Sequence, residues 1–271
     1  MPRFETIKTV YDYDDIGHGP LVLFGHGLSC DRHMFDDQVH ALRDRYRCLT
    51  LDWPGHGDRT TFDAGGWSLD DLARDVAELI ASLDAGPASL VGLSQGGMVF
   101  MRVAIDHPEL VRAMALLDTS ARAEPPDRVG AISANLDRLR YAPESVREDF
   151  IRDLAVPAFF GAPWRDANPD LVEREVALRL SHDRLGYELA TRAVIERRQI
   201  DLEKLAALEV PSLVLVGELD ALTPPAHAQE LAASIPRAIL EVIPGAGHHT
   251  PLERPVEVTT ALAAFLDGCT T

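Results

Sequence analysis

Short apolar runs alternate with amphipathic stretches along most of this chain of 271 residues. Runs that are apolar nearly throughout predict strands covered on both faces, and the amphipathic stretches between them predict helices. Alternation of this kind specifies a largely parallel sheet with helices on both faces. The strands are expected at residues 21–24, 47–52, 88–93, 113–118, 212–217 and 238–243, and the helices at 32–45, 69–83, 96–107, 226–234 and 255–266.

One long interval, residues 122–205, interrupts this alternation. It contains helical patterns but no convincing strand, and several prolines divide it into short helices. An insertion at this point would lie over the carboxyl ends of the strands, where open α/β sheets bind ligands. We therefore predict an α/β core formed by residues 1–121 and 206–271, and a helical cap, or lid, at 122–205. The cap would be inserted after the sixth strand, because residues 4–7 and 10–16 predict an antiparallel hairpin at the edge of the sheet.

The composition limits the classes of partner and of location. A net charge of −17 argues against nucleic acid or an anionic membrane as a partner. The interval 122–205 is nearly neutral, with 14 Lys and Arg against 16 Asp and Glu, and one or two of its arginines could face a substrate. No apolar run approaches the roughly 20 residues that span a bilayer, and the opening residues lack the apolar part of a secretory signal. We expect a cytoplasmic protein, either a monomer or a homodimer, whose three cysteines are free thiols.

The stretch LVGLSQGGM places Ser94 at the end of an apolar run and at the start of a predicted helix. A strand that turns at once into a helix strains the backbone at the bend, so the residues two positions away must be very small. Gly92 and Gly96 meet that demand, and the amino terminus of the following helix favours negative charge beside the serine. Ser29 shares the tripeptide Gly-Leu-Ser but has no glycine two residues later. Ser94 is therefore the candidate nucleophile.

A serine hydroxyl needs a base, normally a histidine that a carboxylate orients. His248 follows an apolar strand on a glycine-rich loop that can reach across the top of the sheet, and His249 beside it is the alternative. The carboxylate should lie at the end of a strand that precedes the histidine. Asp220 fits this position best, Asp118 is the second candidate and Glu218 the third.

Acyl transfer also needs backbone N–H donors for the oxyanion that forms on the carbonyl group. The amide of Gln95, directly after the candidate nucleophile, is one such donor. The loop after the strand at 21–24 would supply the second, through the amide of Leu28. We expect His26 in this loop to hold the loop by hydrogen bonds rather than to act as a base.

Taken together, these residues resemble the α/β-hydrolase superfamily. The matching stretches follow the order typical of that family and cover nearly the whole chain: LVLFGHGLSCD, LDWPGHGDR, LVGLSQGGM, LVLVGELDALTPP and VIPGAGHHTPLERP. The resemblance implies the α/β-hydrolase fold with a helical cap. Within the superfamily the chain is most similar to the 3-oxoadipate enol-lactonase-like esterases and lactonases, and Ser94 distinguishes it from the dehalogenases and epoxide hydrolases, whose nucleophile is an aspartate.

The leading hypothesis is a serine hydrolase that cleaves a small carboxylic ester or lactone and needs no metal or organic cofactor. The candidate substrate-binding residues are Trp53, Phe159, Phe160 and Trp164. For Trp53, packing of a loop is favoured over shaping of the pocket. The pair His248-His249 together with Glu253 does not match the spacing of a metal site.

Other functions fit the same catalytic residues. Some relatives in the superfamily use them to hydrolyse carbon–carbon bonds, and others are cofactor-free perhydrolases. Some hormone receptors of the superfamily retain the three residues as slow-turnover ligand sensors. Fold alone does not decide among these functions.

Overall fold

The computed structural model describes residues 2–57 and 61–269. Within these residues, the strands form one nine-stranded sheet in the order β1-β2-β4-β3-β6-β7-β8-β9, with β5 paired to β2. The strands are β1 (Arg3–Glu5), β2 (Thr9–Gly17), β3 (Leu21–Gly25), β4 (Arg47–Leu51), β5 (Thr61–Phe62), β6 (Ala88–Leu93), β7 (Val111–Leu117), β8 (Ser212–Gly217) and β9 (Ala238–Ile243).

The central part of the sheet is parallel, as the alternation of strands and helices predicts. Strands β4, β3, β6, β7, β8 and β9 pair in parallel, whereas β2 pairs antiparallel with β1 and β4 at the edge. Every residue of β3, β6 and β8 is buried. These strands are almost entirely apolar, as expected when helices cover both faces of a sheet.

The helices lie between the strands and in the long interval after β7. They are α1 (Asp36–Leu42), α2 (Leu69–Ser82), α3 (Gln95–Asp106), α4 (Pro126–Arg140), α5 (Glu144–Phe150), α6 (Val156–Phe159), α7 (Ala162–Ala167), α8 (Pro169–Ser181), α9 (Arg184–Ile195), α10 (Leu202–Ala206), α11 (Pro225–Ser234), α12 (Thr250–Glu253) and α13 (Pro255–Cys269). Short 3₁₀ turns occupy Arg32–Phe35 and Pro108–Leu110, and a π-helical turn, Ile151–Ala155, joins α5 to α6.

Two buried apolar clusters lie on opposite faces of the sheet, because successive side chains of a strand point to opposite sides. Leu21 and Leu23 of β3 belong to the cluster that includes residues of α2, α3 and α11. Val22 and Phe24 belong to the cluster that includes residues of α1 and α13. The two faces of one strand therefore hold different helices in place.

The interval between β7 and β8 is helical, from α4 to α10. Prolines stand in the first turn of α4, α7 and α8, where the absent N–H costs no hydrogen bond. The interval follows the seventh strand rather than the expected sixth, because Thr61–Phe62 forms the additional short strand β5. Two residues are too few to show the period-2 pattern of a strand. The division of the chain into a core and a cap at 122–205 remains a prediction.

Hydrogen bonds attach this helical interval to loops at the carboxyl ends of the parallel strands. The His248 N–H donates to the Phe159 carbonyl over 2.9 Å, and His182 Nε2 donates to the Ser29 carbonyl over 3.1 Å. The interval therefore covers the edge of the sheet where Ser94 lies. None of the helices in residues 2–57 and 61–269 combines the length and the apolar composition needed to cross a bilayer. All three cysteines are free.

Candidate active site

Ser94 lies at the junction between β6 and α3. Its φ of 51° is a backbone conformation that residues other than glycine rarely adopt. The surrounding glycines permit this junction. A Cβ atom on Gly92 would lie 2.5 Å from the carbonyl carbon of Gly96, and one on Gly96 would clash with the carbonyl oxygen of Gly25. Helix α3 thus approaches β6 and β3 more closely than any larger residue allows, for the reason that the sequence pattern predicts.

His248 and Asp220 form a buried pair that joins two loops. His248 lies on the loop after β9, Asp220 follows β8, and the distance from His248 Nδ1 to Asp220 Oδ2 is 2.8 Å. Oδ1 of the same carboxylate accepts hydrogen bonds from the amides of Leu222, at 2.8 Å, and Thr223, at 3.0 Å. Burial by itself would raise the pKa of Asp220, but His248 and these hydrogen bonds outweigh it and lower that pKa below its ordinary value. The carboxylate therefore stays ionised and can stabilise a positively charged imidazole.

Ser94 and His248 line the same cavity, whose volume is about 260 Å³. No hydrogen bond joins the Ser94 hydroxyl to the imidazole among the described residues. Such bonds are often loose before a substrate binds and tighten in the complex. A carboxylate–imidazole pair beside a serine hydroxyl can take the hydroxyl proton as the oxygen attacks a carbonyl carbon.

One backbone amide belongs to Leu28, which lines this cavity, and another to Gln95, which directly follows Ser94. Within the described part of the chain, neither the Leu28 N–H nor the Gln95 N–H donates to another group. Gln95 is the first residue of α3, so its amide has no partner within the helix. The loop that carries Leu28 is held in place at the next residue, because the Ser29 N–H donates to His56 Nε2 over 3.0 Å and the Ser29 carbonyl accepts from His182.

Asp118 also lies beside this site, but it contacts different groups. Its Oδ1 accepts the Gly217 amide over 2.8 Å, and its Oδ2 accepts the Thr250 hydroxyl over 2.5 Å. Burial and the nearby charge of Asp220 raise the pKa of Asp118 well above its ordinary value. Asp118 thus joins the end of β7 to β8 and to α12, with no hydrogen bond to His248. The third candidate, Glu218, is exposed and accepts the Gly245 amide over 2.9 Å.

The other histidines considered from the sequence have packing partners of their own. The His249 ring stacks on Phe159 with 4.9 Å between ring centroids, and its Nε2 lies 3.6 Å from Cys30 Sγ. Burial lowers the pKa of His249 well below its ordinary value. His26 Nε2 accepts the Trp53 amide over 3.1 Å, and burial lowers the pKa of His26 to about 4.

The aromatic residues proposed to bind substrate occupy three different environments. Phe159 lines the cavity with Ser94 and His248. Phe160 and Trp164 stack on each other, with 4.6 Å between ring centroids, in an apolar cluster of the helical interval. Trp53 is 0% exposed and packs against Phe100 in the core, which favours the packing interpretation of this residue.

Glu253 holds the histidine loop against the helical interval, a role that the sequence pattern did not indicate. Its side chain is buried, and its Oε2 accepts the amides of Gly161 and Gly247, each over 2.9 Å. Its Oε1 accepts the His249 amide over 3.3 Å. Backbone partners of this kind leave no periodic signal in a sequence.

Within residues 2–57 and 61–269, no three His, Cys, Asp or Glu side chains are grouped so that they could hold a metal ion.

Comparison with known proteins identifies the family. Residues 22–261 match the alpha/beta hydrolase family. The chain belongs to this family. This hydrolase is 28% identical over 256 residues to 3-oxoadipate enol-lactonase 2 of Acinetobacter baylyi, covering 91% of this chain and 88% of that protein.

Two solved structures are similar over nearly the whole length of this hydrolase. A thermophilic esterase from Thermogutta terrifontis has a TM-score of 0.91 and 29% identity, and the match covers 100% of both chains. The enol-lactonase from Burkholderia xenovorans LB400 has a TM-score of 0.88 and 25% identity, covering 98% of this chain and 100% of that one. The family and these relatives support a hydrolase activity.

The close approach of α3 to the sheet predicts a large effect of one added methyl group. Gly96→Ala should lower the free energy of unfolding by about 3 kcal/mol, the upper end of typical overpacking costs, because backbone surrounds the new Cβ. Gly130→Ala is the matched control, since Gly130 is an exposed position in α4 with open space around it. That substitution should stabilise the protein by up to about 1 kcal/mol through helix propensity. Urea unfolding measures both values, and equal stabilities of the two variants would contradict the close packing at Gly96.

Proposed function

We propose that this chain is a serine hydrolase that cleaves a small carboxylic ester or lactone. The observation that carries the proposal is the His248–Asp220 hydrogen bond at the wall of the cavity that Ser94 also lines. In this scheme Ser94 is the nucleophile, His248 the general base and then acid, and Asp220 the group that orients the imidazole.

The proposed reaction has two stages that need only these residues and water. His248 takes the hydroxyl proton as Ser94 Oγ bonds to the carbonyl carbon, and the amides of Leu28 and Gln95 donate to the oxyanion. The protonated His248 then returns the proton to the leaving oxygen as the ester bond breaks. Water attacks the resulting acyl-enzyme by the same route, which releases the acid and restores Ser94.

The lining of the cavity supports a small and largely apolar substrate. Its volume of about 260 Å³ lies below the roughly 300–1,000 Å³ typical of pockets for drug-sized ligands. Apolar side chains contributed by the helical interval form much of its wall; among them are Ile132, Phe150, Leu154 and Phe159. We propose that residues 122–205 act as a cap that selects the substrate. The names of the relatives, esterase and enol-lactonase, agree with an ester or lactone bond.

Removal of the Ser94 hydroxyl should abolish turnover. On a panel of short aryl esters and small lactones, we expect Ser94→Ala to lower kcat by roughly 10⁶-fold, the scale seen when a catalytic serine is removed. Ser181→Ala, at an exposed position of α8, is the matched control and should retain wild-type rates. Undiminished hydrolysis by Ser94→Ala would refute the nucleophile. A folded wild-type protein that is inactive on the whole panel but cleaves vinylogous diketones would instead indicate a carbon–carbon hydrolase.

The two buried aspartates should differ sharply in their effect on the rate. Asp220→Asn should lower kcat by about 10⁴-fold, because the imidazole loses the carboxylate that orients and stabilises it. Asp118→Asn should lower kcat by less than about tenfold, since the raised pKa of Asp118 favours a neutral side chain that asparagine resembles. Steady-state kinetics of the two variants on one aryl ester measure both effects on kcat. The reverse order of the two effects would assign the catalytic carboxylate to Asp118.

A further inference from the structure

Leu28, which lines the cavity and carries the second amide proposed to bind the oxyanion, lies in a tight turn after β3. The Cys30 N–H donates to the Gly27 carbonyl over 3.2 Å, so Leu28 and Ser29 occupy the two central positions of this turn. Ser29 has a φ of 63°, in the left-handed region that favours glycine. A residue other than glycine keeps such a conformation only where its surroundings impose it. The groups that bind Ser29 are therefore the ones that can hold the turn.

Two imidazoles bind both backbone groups of Ser29. His56 Nε2 accepts the Ser29 N–H over 3.0 Å, and His182 Nε2 donates to the Ser29 carbonyl over 3.1 Å. All three residues are buried. The Ser29 hydroxyl has no hydrogen-bond partner among the described residues, so the side chain of Ser29 does not hold the turn by a hydrogen bond of its own. Removal of either imidazole would leave a buried backbone group unpaired, which is costly.

Each imidazole has the tautomer that its contact with Ser29 requires. His56 Nδ1 donates to the Pro54 carbonyl over 3.2 Å, so the proton of this ring lies on Nδ1 and Nε2 is free to accept. His182 has the opposite tautomer, because its Nε2 must carry the proton that the Ser29 carbonyl accepts. Burial lowers the pKa of His56 and that of His182, so both rings stay neutral at about pH 7.

The two rings come from different parts of the chain and meet at this turn. His56 lies on the loop after β4, and His182 directly follows α8 in the helical interval. The rings contact each other edge to face, with 5.2 Å between their centroids. The helical interval therefore helps to hold a turn that belongs to the loop after β3.

We propose that His56 and His182 are positioning residues, which fix the Leu28 amide for the transition state by holding both backbone groups of Ser29. This inference rests on the proposed function, because it assumes that the Leu28 amide donates to the oxyanion. Neither histidine is among the described residues that line the cavity, so both act through the backbone of the turn. The helical interval then contributes to the rate of the reaction, through His182, as well as to the choice of substrate.

Leucine and glutamine variants test the two hydrogen bonds. Leucine removes the bond, whereas the glutamine side chain offers both an acceptor oxygen and N–H donors. On phenyl acetate we expect His56→Leu and His182→Leu each to lower kcat by about 10- to 100-fold, somewhat less than the roughly 10²- to 10³-fold loss when an oxyanion donor is removed. Their KM should change by less than about twofold, because the loss falls on the transition state. His56→Gln and His182→Gln should recover most of the lost kcat. His40→Leu, at an exposed position of α1, is the matched control and should keep wild-type constants.

Inhibition by phenylboronic acid separates a misplaced amide from a loss of folded enzyme. Ser94 Oγ donates an electron pair to boron as His248 takes the hydroxyl proton, and the tetrahedral boronate places an oxygen where the oxyanion forms. We expect the inhibition constant to rise in the two leucine variants by about the factor by which kcat falls, and to stay near the wild-type value in the two glutamine variants. Neither this constant nor KM depends on the amount of folded enzyme.

The outcomes separate this inference from the proposed function. Leucine variants with the wild-type kcat and the wild-type inhibition constant would overturn the positioning role while the hydrolase stands. Glutamine variants as impaired as the leucine variants would assign the effect to the packing of the rings and would also overturn it. A folded wild-type protein that hydrolyses neither phenyl acetate nor the other esters and lactones of the panel would refute the proposed hydrolase and this inference with it.

Discussion

The close approach of α3 to the sheet is the constraint on which the rest of the site depends. Gly96 packs directly on the backbone at Gly25, so the helix begins at the residue after Ser94. This one contact places the serine above the carboxyl edge of the sheet and fixes its left-handed backbone. It also makes Gln95 the first residue of the helix, so the Gln95 amide has no acceptor within α3. A methyl group at position 96 would push the helix away from the sheet and would move Ser94 and the Gln95 amide together.

The two buried aspartates illustrate how environment gives one residue type two uses. Asp220 faces an imidazole and several N–H groups, which hold its pKa low. Asp118 is fully buried near that negative charge, which together with burial holds its pKa high. One carboxyl is suited to stabilise a cation, and the other to connect backbone segments at the ends of β7 and β8. Pairs of carboxyls whose surroundings separate their pKa values in this way are typical of sites that move protons.

Local patterns predicted the sheet and the residues of the proposed triad, because each depends on neighbours in sequence. Strands β6, β8 and β9 match their predicted bounds, because each is a short run of mainly apolar residues. Contacts between residues far apart in the sequence are harder to predict from such patterns. Phe159 and Trp164 have the same aromatic character, yet only Phe159 reaches the cavity. The role of Glu253 depends on the Gly161 amide, which lies 92 residues earlier in the sequence and which no periodicity reveals.

The contacts of Glu253 have a consequence for how a substrate could enter. The carboxylate accepts hydrogen bonds from Gly161 on the helical interval and from Gly247 on the histidine loop, so it holds these two segments together. Moving the helical interval away from the sheet at this point would break these buried hydrogen bonds and displace the loop that carries His248. Leu154, which also lines the cavity, is 59% exposed. The cavity therefore meets solvent at Leu154, while Glu253 holds the loop that carries His248 in place.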